Sequence, residues 1–311
     1  MALSTNPHKA LLTFVEYLEV ERNVSRLTIR NYSHYLRRFN EWFLSEGYTD
    51  LTQLDQEIVR SYRVYLSRHV DEIGRTLSKR TQSYYVIALR SLLKFMVKND
   101  APVMHPEKID LPKAESKQME FLNIERVERL LNQPLLSAKG GLRDKAILEV
   151  LFSTGLRVSE LVGLNRDQID LAKREFGVIG KGRRPRVVFL SERAAYWLEK
   201  YINSRDDNWD PIFIRYSGQK PELLADGEEM RLTTRSVQRL VDTYCRKAKL
   251  PIKISPHGIR HSFATDLLYN GASLRDVQEM LGHKNIATTQ IYTHVTRPEL
   301  RKAHQKHHSD L

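Results

Sequence analysis

The 311-residue sequence predicts a mainly α-helical protein of two domains, with a small β-sheet in the second, an α+β arrangement. Three observations predict this class. Apolar side chains recur at helical spacing through the first hundred residues. A proline-containing segment without apolar periodicity follows. Helical patterns then resume around two short β-type runs. We expect an N-terminal helical domain at residues 1–104, a linker at 105–118 and a second domain at 119–311.

The N-terminal domain contains four predicted helices, and helices of this length form a small bundle. Thr28 and Ser78 are predicted to cap the second and fourth helices, and Gly47 to end the second. The residues expected to face the core share helical spacing within each helix: Leu11, Leu12, Val15 and Leu18; Tyr32, Leu36, Phe39 and Phe43; Ile58, Tyr62, Tyr65 and Leu66; Tyr84, Ile87, Leu92 and Phe95.

Residues 100 to 118 contain Pro102, Pro106 and Pro112 and show no apolar period. Proline stiffens such a segment and stops helices. The sequence therefore predicts that the two domains are joined here.

In the second domain, helical and β-type patterns alternate with turns. Gly155 interrupts one helix just before Arg157, and a residue at such a break can direct its side chain at a ligand. Residues 216–232 are interpreted as a surface excursion without an assigned function. Helices are expected at 123–132, 143–153, 158–163, 194–203 and 234–249, and strands at 176–179 and 186–190.

Composition points to a polyanionic partner, because the net charge is +12 and the isoelectric point is about 9.6. The single cysteine, Cys245, excludes an internal disulfide and fits a reducing compartment. No apolar run approaches the roughly 20 residues that a membrane helix needs. The N-terminus lacks the pattern of a secretory signal. We therefore expect a cytoplasmic protein that binds nucleic acid, with no membrane partner.

Residues 255 to 295 concentrate the groups that handle phosphate and protons. His257 and Arg260 are three residues apart and therefore share a face if this stretch is helical. His283 lies in the turn-like run GHKN, and Tyr292 follows nine residues later. A guanidinium can bind two phosphate oxygens, imidazoles can exchange protons, and a phenol can act as a nucleophile. This combination suits attack on a phosphate diester.

The runs HGIRHSFAT, LGHKN and IYTH resemble the tyrosine recombinase (phage integrase) family, most closely its Xer branch. RDKAILEVLFSTGLRVSELVGL, at 143–164, resembles the first arginine box of that family, and VIGKGRRPRVV, at 178–188, is similar to its β-hairpin. Glu160 resembles the acidic residue that accompanies the first arginine and orients the active-site cations. The resemblance implies six catalytic residues: Arg157, Lys181, His257, Arg260, His283 and Tyr292.

The resemblance also implies an architecture. The helical bundle corresponds to a core-binding domain, and the second domain to the catalytic domain, which together form a C-shaped clamp on DNA. Basic residues in both domains are expected either to contact DNA or to form an ordinary solvated surface: Arg80, Arg90, Lys94, Arg183, Arg184, Arg186 and Arg239.

The implied reaction proceeds through a covalent protein–DNA intermediate. Tyr292 attacks the phosphate to give a 3′-phosphotyrosine and a free 5′-hydroxyl. Arg157 and Arg260 stabilise the charge on the phosphate oxygens. His257 accepts the phenol proton and Lys181 protonates the leaving oxygen, while His283 hydrogen-bonds the phosphoryl group. No cofactor is required, because the ester energy is kept in the phosphotyrosine.

Simpler roles remain open for several of these residues. Arg157 can form a local ion pair with Glu160. Lys181 can be an exposed turn residue. His257 and His261 are four apart, as zinc ligands can be, but the sequence lacks the intervening Glu of HExxH and we expect no metal. A tail helix is expected at 297–306, docked either within its own chain or on a neighbouring subunit.

Three functions follow from the resemblance. The first is Xer-type resolution of chromosome or plasmid dimers, a step in chromosome segregation before cell division. The second is integration or transposition of a mobile element by the same chemistry. The third, from another class, is DNA binding without cleavage. The expected partners are a duplex site with inverted half-sites and the other subunits of a homo- or hetero-tetramer on DNA. A paired system would add a second recombinase and an accessory activator. The expected location is the cytoplasm, in association with the nucleoid.

Overall fold

The computed structural model describes residues 3–70, 74–111, 121–180, 185–218 and 226–282. The chain divides into two compact units, Met1–Ser116 and Lys117–Leu311. This division falls inside the segment that the sequence predicts as the linker. The exact domain limits stay a prediction.

The described part of the first unit contains the four expected helices: α1 (Pro7–Val20), α2 (Arg26–Ser45), α3 (Gln56–Arg68) and α4 (Lys79–Lys98). Helix α4 packs against each of the other three. The core is rich in aromatic rings, and Phe39, Phe43 and Tyr62 are completely buried in it. The predicted helical bundle is therefore confirmed.

Three local expectations in the bundle are wrong. Ser25, not Thr28, caps α2, because the Ser25 hydroxyl accepts a hydrogen bond from the Thr28 backbone amide at 3.2 Å. Leu12 and Tyr84 face outwards, with 52% and 39% of their surface exposed. Phe14 and Tyr85 fill the core instead. Phe14 buries more apolar area than Leu12 would in the same core. Tyr84 and Tyr85 are the same residue type, so here the difference lies only in the rotation of α4, which places Tyr85 inwards.

Residues 105–111 pack on the first unit rather than bridging freely from it. A short 3-10 helix spans Pro106–Lys108, and Ile109 is buried. Arg90 on α4 donates to the Pro106 carbonyl at 3.1 Å and pairs with Glu107. The Arg90 guanidinium therefore fastens this segment to the bundle, and its contact with DNA stays a prediction.

The second unit combines helices with a small antiparallel sheet. Its order is α5 (Ile124–Leu131), α6 (Gly141–Thr154), α7 (Val158–Val162), β1 (Ile169–Asp170), β2 (Glu175–Ile179), β3 (Pro185–Phe189), α8 (Glu192–Asn203), α9 (Thr234–Lys247), α10 (Pro256–Tyr269) and α11 (Leu274–Leu281). The three strands pair in the order β1-β2-β3. The predicted fold class, mainly α with a small sheet, is confirmed.

Helix α6 is the central element of the second unit. Every residue from Lys145 to Leu151 is buried, and the helix packs against α5, α8, α10 and β3. Strands β2 and β3 pair with Ile179 opposite Pro185. Their inward residues, including Phe176 and Val188, join the same core. The hairpin is therefore held at its base by packing on α6.

The segment at 216–232, predicted as a surface excursion, is built into the domain at its described end. Arg231 donates to the carbonyls of Val162 and Leu164, at 2.8 and 3.1 Å. Met230 is buried against Trp209. These contacts fix the chain that follows α7. Within the described ranges, no helix combines the length and apolar character that crossing a membrane requires.

Gly155 ends α6 in the left-handed conformation, with φ at +58°. A Cβ atom here would lie 2.4 Å from the Phe263 ring on α10. The predicted break before Arg157 is thus confirmed, and two constraints require glycine there: the backbone angle and the closeness of α10.

Replacing Gly155 by alanine is expected to destabilise the protein by well over the roughly 1–2 kcal/mol that a left-handed alanine costs, because Phe263 must also move. Gly271→Ala is the matched control, since Gly271 has φ at +92° and open space around it. Chemical denaturation of both variants measures the difference. Equal losses of stability would show that the contact with Phe263 contributes nothing.

Candidate active site

The structure describes part of the predicted site. It places Arg157 and Glu160 on α7 and its cap, Arg186 on β3, and His257 and Arg260 on α10. The remaining predictions lie outside the described residues, and they concern Lys181, Arg183, Arg184, His283, Tyr292 and the tail helix at 297–306.

Helix α10 begins at the start of the stretch that the sequence predicts to handle phosphate. The Ser255 hydroxyl caps it by accepting from the Gly258 amide at 3.4 Å, and Pro256 occupies its first turn. His257 therefore lies in the first turn and Arg260 about one turn later. His257 is exposed at the surface, whereas only 2% of Arg260 is exposed.

Arg260 joins three helices through backbone carbonyl groups. Its Nη1 donates to the Gly155 carbonyl at 2.7 Å, and its Nη2 donates to the Leu281 carbonyl at 2.6 Å. These carbonyls belong to the C-terminal ends of α6 and α11, where the helix dipole favours a cation. Arg260 is therefore a buried, rigidly held positive charge, and its orientation is set by two helix ends.

Arg157 and Glu160 interact twice at the start of α7. The Glu160 carboxylate accepts from the Arg157 backbone amide at 2.9 Å and from Arg157 Nη1 at 2.8 Å. The local ion pair that the sequence left open is thus observed. Nevertheless, 29% of the Arg157 side chain is exposed. No described residue accepts from its Nε or Nη2, so these groups can still bind a ligand.

Arg186 completes the coordination of the same carboxylate. Its Nη1 and Nη2 donate to the two oxygens of Glu160 at 3.1 and 2.8 Å, and its Nε donates to the Met280 carbonyl at 3.1 Å. Only 9% of the Arg186 side chain is exposed. The expectation that Arg186 contacts the DNA backbone is therefore corrected, because all three of its nitrogens are engaged inside the protein.

The sequence carried a signal for this inward position. Side chains alternate across a strand, so Arg186 shares its face with Val188. Val188 is buried, whereas Val187 is 54% exposed. The spacing to a core valine distinguishes Arg186 from an ordinary surface arginine.

The shared carboxylate stays ionised over the whole working pH range. Burial would raise the pKa of Glu160, but the hydrogen bonds and charges of Arg186 and Arg157 outweigh it and lower that pKa to about 2. Glu160 therefore carries a permanent negative charge between two guanidiniums. Both guanidiniums donate hydrogen bonds to it, and its role in orienting the active-site cations stays a prediction.

The surroundings of His257 favour its neutral form. Its ring lies edge-on to the ring of His261, with centroids 4.3 Å apart. Partial burial of the ring lowers the pKa of His257, and the positive charges of Arg260 and Arg157 lower it further. An imidazole whose pKa is lowered in this way is favoured in its neutral form, which can accept a proton. The structure thus brings Arg157, His257 and Arg260 into one electrostatic environment.

The other predicted DNA contacts are exposed in the described structure. Arg80 donates to the Tyr84 hydroxyl at 2.9 Å on the surface of α4, and Lys94 lies exposed on the same helix. Arg239 is exposed on α9 and borders a cavity of about 240 Å³ with Arg143 and Tyr244. Contact of Arg80, Lys94 and Arg239 with DNA stays a prediction. Among the described side chains, no three His, Cys, Asp or Glu residues are grouped to hold a metal ion.

We expect the titration midpoint of His257 to lie below 6.5 and to rise in Arg157→Gln, because one of the charges that disfavour its protonation is removed. Histidine side-chain NMR across pH 4–8 measures the midpoint. Arg239→Gln has the same change in net charge on an exposed helix position and should leave it unchanged. A midpoint that does not move in Arg157→Gln would show that the charge of Arg157 does not act on His257.

Glu160→Gln is expected to lower the free energy of unfolding at pH 7 by about 3 kcal/mol, since it leaves buried guanidinium groups unneutralised. The pKa of Glu160 is lower in the folded state, so the unfolded chain binds the extra proton as pH falls from 4.5 towards 2. The difference between wild type and variant should therefore shrink across that window. Denaturation at several pH values tests this, with the exposed Glu199→Gln as control. A difference that is constant with pH would contradict the assignment.

Two family models match the sequence. Residues 120–299 match the phage integrase family, and residues 11–100 match the phage integrase N-terminal SAM-like domain. The first match includes all the described residues of the candidate site.

Curated relatives are similar over nearly their whole length. The tyrosine recombinase XerC of Natranaerobius thermophilus is 37% identical over 309 residues, covering 96% of this chain and 98% of that protein. The tyrosine recombinase XerD of Listeria monocytogenes is 34% identical over 305 residues, covering 95% of this chain and 97% of that protein.

A solved structure has the same fold. The XerH site-specific recombinase bound to difH substrate, in a pre-cleavage complex, aligns with a TM-score of 0.67 and 24% identity, covering 94% of this chain and 82% of that chain. The chain therefore belongs to the phage integrase family and is a tyrosine recombinase, an enzyme that breaks and rejoins DNA.

Proposed function

We propose that this chain is a site-specific recombinase of the Xer type, which resolves dimers of chromosomes or plasmids. The observation that carries the proposal is that two fixed guanidiniums, Arg157 and Arg260, lie near enough to His257 for their charges to lower its pKa. This grouping provides positive charge for a phosphate and a base for a nucleophile. Near full-length similarity to XerC and XerD proteins supports the Xer branch.

The proposed chemistry is an exchange of phosphate esters. The Tyr292 oxygen forms a bond to the scissile phosphorus while the bond from phosphorus to the 5′-oxygen breaks. His257 accepts the phenol proton, and Lys181 supplies a proton to the departing 5′-oxygen. Attack of a 5′-hydroxyl from a second strand reverses these steps and releases Tyr292.

Fixed positive charge is the main contribution of the described residues to this reaction. Arg157 retains unpartnered nitrogens among the described residues, and Arg260 is held by two helix ends. Donors that are already oriented need no reorganisation as negative charge develops on the phosphoryl oxygens, and loss of one such donor costs about 10²–10³ in rate. His283 adds a further hydrogen bond to the transferring group.

The proposed assembly contains four subunits on two DNA sites, each site with inverted half-sites. The tail at 297–306 docks on a neighbouring subunit in this proposal and couples Tyr292 to assembly. A second recombinase and an accessory activator take part where the system is paired. The enzyme acts in the cytoplasm, in association with the nucleoid.

Sequencing of DNA trapped covalently on the protein separates dimer resolution from integration of a mobile element, because the two use different target sites.

Tyr292→Phe removes only the hydroxyl, so we expect unchanged site binding and complete loss of the covalent protein–DNA adduct. The measurement is incubation with a nicked suicide duplex followed by a denaturing gel. Tyr269→Phe is the matched control, since Tyr269 is an exposed tyrosine on α10, and it should form adduct like the wild type. An adduct that persists in Tyr292→Phe would remove Tyr292 from the role of nucleophile.

A further inference from the structure

We propose that Arg186 is a positioning residue of the cleavage reaction, which holds Glu160, and through it Arg157, against the C-terminal end of α11. The inference deepens the proposed function and rests on it. It assigns Arg186 a role that its neighbours in the hairpin, Arg183 and Arg184, are not expected to have.

The guanidinium of Arg186 links two separate elements at once. Two of its nitrogens bind the two oxygens of Glu160 in a fork, at 2.8 and 3.1 Å, while the third binds the Met280 carbonyl at 3.1 Å. A planar group with fixed donors relates these two partners rigidly, which a lysine ammonium cannot do. Strand β3 therefore fixes α7 relative to α11 through one side chain.

All the hydrogen-bond acceptor positions of the Glu160 carboxylate are occupied. A carboxylate offers about four acceptor positions. Here it receives two hydrogen bonds from Arg186 and two from Arg157, and only 6% of its side chain is exposed. Removal of Arg186 would leave a buried carboxylate half-satisfied. The carboxylate would then compete for the remaining donors of Arg157, which are the groups needed by a phosphate.

The end of α11 is held by two arginines in succession. The Met280 carbonyl accepts from Arg186, and the Leu281 carbonyl accepts from Arg260. The helix ends at Gly282, whose φ is +63° and whose missing Cβ would lie 3.1 Å from Cδ of Arg186. In the sequence, His283 follows immediately. Arg186 thus helps to hold the end of α11, which immediately precedes His283 in the sequence.

A direct contact between Arg186 and substrate does not fit these observations. The side chain is 9% exposed, and each of its three nitrogens already has a partner within the protein. Its effect on the reaction must therefore pass through Glu160, Arg157 and the end of α11. This distinguishes it from Arg157, which is three times as exposed at 29%.

The test is single-turnover cleavage of a nicked suicide duplex at saturating DNA, with rates corrected for the folded fraction. Arg186→Ala should bind half-site DNA like the wild type but form adduct about 10²-fold more slowly, the cost of a small misplacement of catalytic groups. Arg186→Lys keeps the charge without the fork and should be intermediate. Arg186→Lys also tests the inference if the alanine variant fails to fold.

Arg205→Ala is the matched control for the removal of a buried arginine. Arg205 lies in the same unit, only 1% of its side chain is exposed, and it binds the carbonyls of Pro211 and Ile212. We expect it to lose stability as Arg186→Ala does, while the folded fraction cleaves at the wild-type rate. Equal cleavage by the folded fractions of Arg186→Ala and wild type would overturn the inference.

A double-mutant cycle with Arg157→Ala shows whether the effect passes through Arg157. If it does, adding Arg186→Ala to Arg157→Ala should slow cleavage by less than about threefold, whereas a purely structural or independent role would give the full single-variant factor again. Adduct formation by wild type is the reference. If wild type and Tyr269→Phe form no adduct, the proposed function fails, whereas an adduct without sensitivity to Arg186 defeats only this inference.

Discussion

The buried carboxylate of Glu160 is the group on which the arrangement of the site depends. It receives four hydrogen bonds from two arginines that come from different elements, the cap of α7 and strand β3. Guanidiniums placed this close would repel each other without a negative charge between them, and burial would increase that cost. The carboxylate therefore makes it possible to fold a chain that concentrates positive charge before any phosphate is bound.

A second constraint comes from the ends of two helices. The C-terminal carbonyls of a helix have no partner within the helix and carry partial negative charge. In α6 and α11 the glycines Gly155 and Gly282 turn the chain away in left-handed conformations, and carbonyls at these ends accept from Arg260 and Arg186. The two arginines are thus held by the C-terminal ends of helices rather than by helix faces. This explains why residues far apart in sequence meet there.

Much of this could be predicted from sequence, because the signals are local. The break at Gly155 and the pairing of Arg157 with Glu160 both depend on residues within one helical turn of each other. The roles of Arg90 and Arg186 could not be read in the same way. Each depends on a partner carbonyl or carboxylate distant in sequence, such as Met280 or Pro106, which no local pattern identifies, even though strand alternation places Arg186 on the inward face of β3. At Leu12 the core contains the larger ring of Phe14 instead, whereas at Tyr84 the rotation of α4 places an identical side chain, Tyr85, inwards.

The ion pair of Arg157 and the binding of phosphate are compatible roles, although from sequence they read as alternatives. Glu160 engages Arg157 through one side-chain nitrogen and the backbone amide, and so fixes the guanidinium at one edge. The other edge remains available among the described residues, with its direction already set. The same charges that attract a phosphate also lower the pKa of His257 and keep its ring able to accept a proton. In the proposed mechanism, one carboxylate between two guanidiniums would therefore allow anion binding and base catalysis to coexist, since it limits the repulsion among the cations without cancelling their excess charge.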